Sequence, residues 1–517
     1  MKKLKLVCVA SAMAGAAPTF AGGLLTNTNQ HVAFNRMMSR EASIGIDGVY
    51  YNPAGVVFMG DGHHLAINWQ LAYQTRTINN DYKLFTNNVN NPITPRDFKG
   101  KAFAPVIPSF QYAYNKGKWS FQANFSLTGG GGKCTFDDGL GSFEKIVSET
   151  AIAACKLAGA VDQVAEAYHV PAIFSSNQCF GTEGKYSYNS YMHGRQYYYG
   201  LSLGAAYKFS DNFSAFAGVR GVYASTNYYG YVENIKVGAM PLYKVLDPTK
   251  ETAANIELSC DQSGVGFTPI IGVDFKTGKW NFAAKYEFKT RIRLKNKSVN
   301  QAPSIGNLPD NLRNAYIAGG VPKAAADAII GNPVIQGAMG QLKTQFDAKL
   351  EKAIGEYEDG KKIAGDIPGY LALGIGYSPV DAVRVNVGFH WFDDKNATSY
   401  NNRNKELKRG TLEYNAGVEV DVNKKITLST GWQNTNYGLS DEYMDDKSFV
   451  VSSNSAAIGG VYHINKKMDL NVAYFHTFYQ HKKTSETVQL AADKSVVYNS
   501  DYTRNNNVFA VGLDINF

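Results

Sequence analysis

From Asn505 to Phe517 apolar and polar positions alternate: Phe509, Val511, Leu513, Ile515 and Phe517 fall on one face of an extended chain, and Ala510, Gly512, Asp514 and Asn516 on the other. The same period of two places Leu65, Ile67, Trp69, Leu71 and Tyr73 together, and sets Val383, Val385, Val387, Phe389 and Trp391 against Arg384, Asn386, Gly388 and His390. Short polar turns at 115–118, 210–212, 276–279, 378–381, 421–425 and 464–467 separate such runs. Six hairpins with a first and a last strand give fourteen antiparallel strands, an even number that returns both chain ends to one side. The pattern predicts an all-β transmembrane barrel with short turns on one side and long loops on the other, at 79–100, 129–188, 232–262, 294–366, 393–410, 435–454 and 481–504. Within those loops, 143–168 and 322–357 carry helix-forming, partly amphipathic sequence, including Ile329, Ile330, Leu342 and Phe346.

Composition supports a barrel and excludes a bundle of membrane helices. Hydrophobic residues make up 44% of the chain, mean hydropathy is −0.27, and no long apolar stretch follows the N-terminal one. The 33 Tyr and 28 Phe suit aromatic girdles at two membrane interfaces. Lys2, Lys3 and Lys5, an apolar run from Leu6 to Ala17, and Thr19-Phe20-Ala21 form a secretory leader, so the expected division is 1–21 signal peptide, 22–62 lumen plug and 63–517 barrel. Export and barrel pattern together place the chain in the outer membrane of a Gram-negative bacterium. A net charge of +8, or +5 without the leader lysines, is too diffuse for nucleic acid. Four cysteines remain after the leader, Cys134, Cys155, Cys179 and Cys260, all in expected outer loops; an oxidising compartment predicts two disulfides, with three pairings open.

Two enzymatic signatures are missing, His-Glu-x-x-His and Cys-x-x-Cys, and Gly129–Lys133 lacks the spacing of a phosphate loop. His63, His64, His476 and His481 sit at strand ends, where a girdle role is expected rather than metal binding. No catalysis, cofactor or metal is expected.

Some forty residues precede the first strand, more than a barrel needs to start. They include Arg40-Glu41-Ala42-Ser43-Ile44-Gly45-Ile46-Asp47-Gly48-Val49-Tyr50-Tyr51-Asn52-Pro53-Ala54-Gly55. This stretch resembles the N-terminal hatch of FadL-type long-chain fatty-acid channels, a family that includes the TodX-like aromatic-hydrocarbon importers, with Asn52, Pro53 and Ala54 as the hatch motif. The segment departs from the family in having Arg36-Met37-Met38-Ser39-Arg40 in place of a glycine-rich stretch. The resemblance implies a passive channel for hydrophobic small molecules, fatty acids first. Its lumen would be filled by the hatch, with an inner pocket and a kinked third strand that lets ligand leave sideways into membrane lipid.

Residue chemistry adds candidates. Pro105 and Pro108 each remove a ladder donor from strand two, on opposite edges, and strand three ends in a glycine run containing Gly129 and Gly130, so the seam between these strands is a candidate lateral exit. Alternation turns Arg220, Lys285, Glu287, Lys289, Arg384, His390, Glu413, Glu419 and Asp514 inward. They form a wall ion-pair network, or else Arg220, Lys285 and Arg384 receive a ligand carboxylate while Phe34, Met37, Met38 and Val49 line the pocket for its tail. A monomer is expected. Two other functions stay open on the sequence: a diffusion porin for polar solutes, and a surface protein acting through its long loops.

Overall fold

The computed structural model describes residues 24–172, 184–491 and 494–517; the expected leader and Cys179 lie outside them. Fourteen antiparallel strands close into a barrel. They are β1 (Gly62–Tyr82), β2 (Arg96–Lys116), β3 (Trp119–Phe136), β4 (Tyr186–Lys208), β5 (Phe213–Val237), β6 (Ile256–Thr277) and β7 (Trp280–Glu287, resuming at Arg293–Gln301). Then follow β8 (Lys362–Ala364, resuming at Tyr370–Val380), β9 (Val383–Phe392), β10 (Leu412–Asn423), β11 (Ile426–Asn436), β12 (Ser453–Asn465), β13 (Met468–Tyr479, continued by Lys482–Ala491) and β14 (Lys494–Asn516). β14 closes on β1 in unbroken register from His64↔Asn516 to Tyr82↔Tyr498. The six short turns fall where the alternation put them, and Gly117 and Gly278, at φ +62° and +55°, supply the left-handed backbone that two of these hairpins need.

Alternation assigns faces as expected: Ile67, Trp69 and Tyr73 point out to lipid, while Asn68, Gln70, Gln74 and Arg76 are buried inside. The strands run further than the apolar pattern suggests. Both ends of 232–262 and most of 481–504, expected as loop, are strand, because above the membrane the outward positions become polar (Thr75, Thr77 and Asn79 on β1) and the apolar signal fades while the ladder continues.

Over the outer mouth lie α3 (Gly141–Ala167), α4 (Leu308–Ala318), α5 (Lys323–Ile330) and α6 (Pro333–Ile354), numbered after two hatch helices, α1 (Val32–Arg36) and α2 (Gly48–Tyr51). The largest apolar core is here, where Phe143 and Val161 of α3, Leu312 and Tyr316 of α4 and Ile329 of α5 pack with Tyr82, Phe85 and Phe136 of the outer wall. Buried Glu144 pins α3: it pairs with Arg96 and accepts from Asn88 Nδ2 (2.9 Å), Tyr186 OH (2.9 Å) and Tyr188 OH (2.8 Å).

Of the three pairings left open, the structure speaks to the one that joins Cys134 to Cys260. Cys134 and Cys260 are free thiols buried in the wall. They share one row across the sheet, Cys134↔Gly194, Gly194↔Tyr228 and Tyr228↔Cys260. At about 4.8 Å per strand they stand roughly 14 Å apart, twice the reach of a disulfide.

Candidate functional site

The hatch fills the lumen, and its motif is read by three strands at once. Asn52 Nδ2 donates to Asp274 Oδ2 of β6 (2.5 Å) while its Oδ1 accepts from Gly55 N (3.1 Å). The Pro53 carbonyl accepts from Gln122 Nε2 of β3 (2.7 Å), and the Ala54 carbonyl from Ser214 Oγ of β5 (2.7 Å). Proline leaves the chain with no donor at Pro53, so this turn presents mainly acceptors to a wall that presents donors.

Elsewhere in the lumen, Arg36 and Arg40 of the hatch meet wall carboxylates. Arg36 pairs with Glu419 of β10; Arg40 Nη1 reaches the same carboxylate at 3.1 Å and its other nitrogens clasp Asp47 at 2.7 and 3.1 Å. Arg384 donates to Asp421 at 2.6 and 2.8 Å and to Glu419 at 3.3 Å. Arg220 forks onto Glu287 at 2.6 and 2.9 Å, and Lys285 Nζ reaches Glu287 (2.8 Å) and the Tyr50 carbonyl (2.6 Å). His390 bridges Glu41 of the hatch (2.6 Å) and Glu413 of β10 (2.8 Å). The basic side chains that alternation offered to a ligand, Arg220, Lys285 and Arg384, are therefore matched by protein carboxylates. Lys289 lies in the break of β7 and approaches Asp366 at 3.9 Å.

The hatch apolar residues separate. Phe34 stacks on Tyr51 (5.3 Å between centroids) and, with Met38, joins Ala72, Ala104, Ile107, Leu127 and Val508 in one cluster. Met37 presses on β10 and β11 at Gly417 and Gly431, and Val49 belongs to a separate group with Ile46, Val56 and Ala66.

That first cluster backs an interruption in the wall. β2 and β3 pair from Lys116↔Trp119 to Phe110↔Phe125 and again from Ala102↔Cys134, but residues 103–109 and 126–133 make no ladder pairs with each other. Pro105 lies where the register between β1 and β2 slips, Pro108 faces Trp69 of β1, and Gly130 and Gly131 take φ of +69° and +125° where β3 bulges against β4. The hatch takes up the freed carbonyls. Thr128 O accepts from Asn27 N (3.0 Å). Gly130 O accepts from Asn27 Nδ2 (2.7 Å), and Leu127 O from Gln30 Nε2 (2.8 Å). On β2, Ser109 Oγ donates to the Gln30 carbonyl (2.6 Å). Asn27 and Gln30 precede the recognisable motif, and sequence reasoning passed over them because side-chain amides that replace a ladder partner have no periodic signature.

Two of the hollows among the described residues bear on the site. A narrow apolar groove of about 60 Å3 runs between Leu157 and Val161 of α3, Leu308 and Leu312 of α4, and Leu342 and Phe346 of α6. A polar cavity of about 420 Å3 lies where the hatch begins, bounded by Leu24, Leu25, Tyr198, Tyr228, Asp394 and Arg403. Asp394 sits in the loop after β9 and accepts from Thr411 N (2.8 Å); burial pushes its carboxyl up to about 6. The folded state thus binds this proton more tightly than the unfolded chain, so folding is penalised progressively as pH rises through about 4 to 6. Segment 393–411 will resist limited proteolysis better at pH 5 than at pH 7.5, and Asp394→Asn will remove the difference; equal cleavage of wild type at both pH values would count against a buried, uncompensated Asp394.

Fold and lumen together define a plugged, outer-membrane-type barrel with an interrupted wall. Its fold is that of the FadL-type channels. A Pseudomonas aeruginosa FadL homologue aligns over 96% of this chain and 100% of its own, with a TM-score of 0.59 and 14% identity. A TodX monoaromatic hydrocarbon channel, as a deltaS2S3 mutant, aligns over 94% of this chain and 99% of its own, with a TM-score of 0.51 and 14% identity. No protein-family model matches the chain, and no curated protein matches it.

Proposed function

We propose that this chain is a passive outer-membrane channel for the uptake of hydrophobic small molecules, long-chain fatty acids first, made after removal of residues 1–21. The observation that carries the reading is the interruption between β2 and β3, backed by an apolar cluster and latched by hatch residues rather than by a neighbouring strand. Ligand enters at the groove among α3, α4 and α6, passes to the cluster around Phe34 and Leu127, and leaves sideways between residues 103–109 and 126–133. A gradient supplies the drive, and ligand that competes for the latch residues shifts the hatch. A lumen crossed by ion pairs from hatch to wall speaks against the polar-solute porin, which needs open water along the axis.

Ala104→Trp tests the exit. Ala104 is inward, buried and within the unpaired stretch of β2. An indole there fills the seam, and uptake of radiolabelled palmitate into cells will fall at least about tenfold, while palmitate binding to the purified barrel stays within about threefold. Undiminished uptake by a correctly folded variant would rule out this route.

A further inference from the structure

On the outer surface of the wall, at the head of the interruption, three cations stand on three adjacent strands: Lys101 on β2, Lys133 on β3 and Arg195 on β4. They point away from the lumen, since the neighbouring Ala102 and Cys134 are buried inside. Lys133 faces Arg195 in register, and Lys101, which faces Thr135, is the diagonal neighbour of Lys133. Like charges so placed repel, and the protein does little to offset them. Among the described residues no carboxylate lies within ion-pair distance of any of the three. Asp97 and Asp137 come four residues along the chain from Lys101 and Lys133, about 13 Å of extended strand, and Asp97 is already held by Asn79 Nδ2 (2.7 Å) and Lys99 (3.2 Å). Arg195 rests over the Tyr197 ring at 5.9 Å, and its Nε is buried with no hydrogen-bond partner.

Height in the membrane gives the patch its meaning. On β4 the outward series runs Leu201, Tyr199, Tyr197 and then Arg195; on β2 it passes exposed Val106 and Phe103 and then reaches Lys101. Tyr73 of β1 is in register with Phe103, and Tyr223 of β5 with Tyr199, so an aromatic girdle runs beneath the cations. The three charges therefore lie at head-group level. Directly below them the ladder between β2 and β3 is broken, with Lys133 the last unpaired residue of β3 and Ala102, beside Lys101, the first residue of β2 to pair again.

We propose that Lys101, Lys133 and Arg195 dock the phosphate of a net-anionic lipid of the outer leaflet, a phosphorylated glycolipid, whose acyl chains run down the wall over Phe103, Val106 and Tyr199. Two ammonium groups and a guanidinium fork suit the several oxygens of a phosphate. A zwitterionic head brings its own cation and gains little from a patch of one sign, whereas an anionic head relieves the repulsion between Lys133 and Arg195. The lipid covers the break from outside, as the hatch residues Asn27 and Gln30 cover it from inside. This docking needs the membrane setting alone and does not depend on what crosses the interruption.

The test places a photoreactive side chain in the path of the acyl chains, Phe103→p-benzoylphenylalanine, in the purified full-length barrel in mild detergent. Irradiation with graded amounts of bisphosphorylated lipid A, or of the same lipid stripped of phosphate, reads occupancy at this site as cross-linked adduct. The phosphorylated lipid will half-saturate at a concentration at least about tenfold lower, and the combined Lys101→Gln, Lys133→Gln and Arg195→Gln changes will abolish that preference. Lys424→Gln with Lys425→Gln, on a short turn at the opposite rim, will leave it within about twofold. Retention of the folded, heat-modifiable band on gels checks each variant; if the triple variant does not fold, Lys101→Gln alone will weaken the preference several-fold. Equal half-saturation by the two lipids in wild type, or a preference that survives the triple variant, would overturn the dock. Loss of the adduct to equimolar inorganic phosphate would also overturn it, in favour of a site for the free ion. Uptake by Ala104→Trp reports on the exit route alone, so the failure of one reading is told apart from the failure of the other.

Discussion

Glu419→Ala opens the barrel to ions. Glu419 is the shared acceptor of Arg36 and Arg40 on the hatch and of Arg384 on the wall. Arg40 would keep Asp47 and Arg384 would keep Asp421, but Arg36 would be left with only Ser429 Oγ (3.0 Å) and Asn471 Oδ1 (3.2 Å) as neutral partners for a buried charge. Removing one member of a buried pair costs about 3–5 kcal/mol. Charged to the hatch alone, that raises the population of its displaced state by a factor on the order of 10² or more. In planar bilayers the wild-type barrel is expected to be nearly silent and Glu419→Ala to show frequent openings. A silent variant would mean that the motif turn at Asn52–Ala54 and the latch at Asn27 and Gln30 hold the hatch without help from this cluster.

The second large effect is on the wall. Glu287→Ala removes the carboxylate that both Arg220 and Lys285 engage, leaving two cations that are each 3% exposed, with Ser202 Oγ and the Tyr50 carbonyl as their remaining acceptors. A destabilisation of about 3–5 kcal/mol is expected, read as loss of the folded gel band at lower temperature and lower urea. Palmitate affinity of the folded fraction should stay within about threefold. Tighter palmitate binding would show instead that the freed Arg220 and Lys285 can take a carboxylate, reviving the role that alternation alone suggested for them.

The two experiments mark where sequence reasoning succeeded and where it stopped. Lipid forces strict alternation on Leu65–Tyr73 and Phe509–Phe517, and hairpins concentrate Gly, Asn, Asp and Lys, so strand number and turn positions were legible. Inward charge was legible for the same reason, because Arg384 or Glu419 could not face hydrocarbon. Partner choice was not. Arg220 meets Glu287 across an intervening strand, and Arg36 meets Glu419 from nearly four hundred residues away. Those distances follow from barrel closure and hatch placement, neither of which has a local pattern. Arg76 and Arg504 were within reach of the method: continuing the even-numbered inner face of β1 past Gln74, and tracing the last strand back past Asn506, brings both inside. They escaped because the outward residues at that height are polar, so the apolar series stops short of Arg76 and Arg504 reads as loop. Cys134 and Cys260, expected on loops that could approach one another, stand on separate rigid strands.

The latch between the hatch and β3 has a mechanical consequence. Asn27 and Gln30 satisfy main-chain oxygens that, in an ordinary barrel, the adjacent strand would cap. Plug and interrupted wall are thereby interlocked: withdrawing the first strips the second of its hydrogen bonds at a depth where water is scarce. On the proposed route, a barrel emptied of its hatch would leave the oxygens beside the exit without donors. The integrity of the barrel wall thus turns on a few amide groups ahead of the hatch motif.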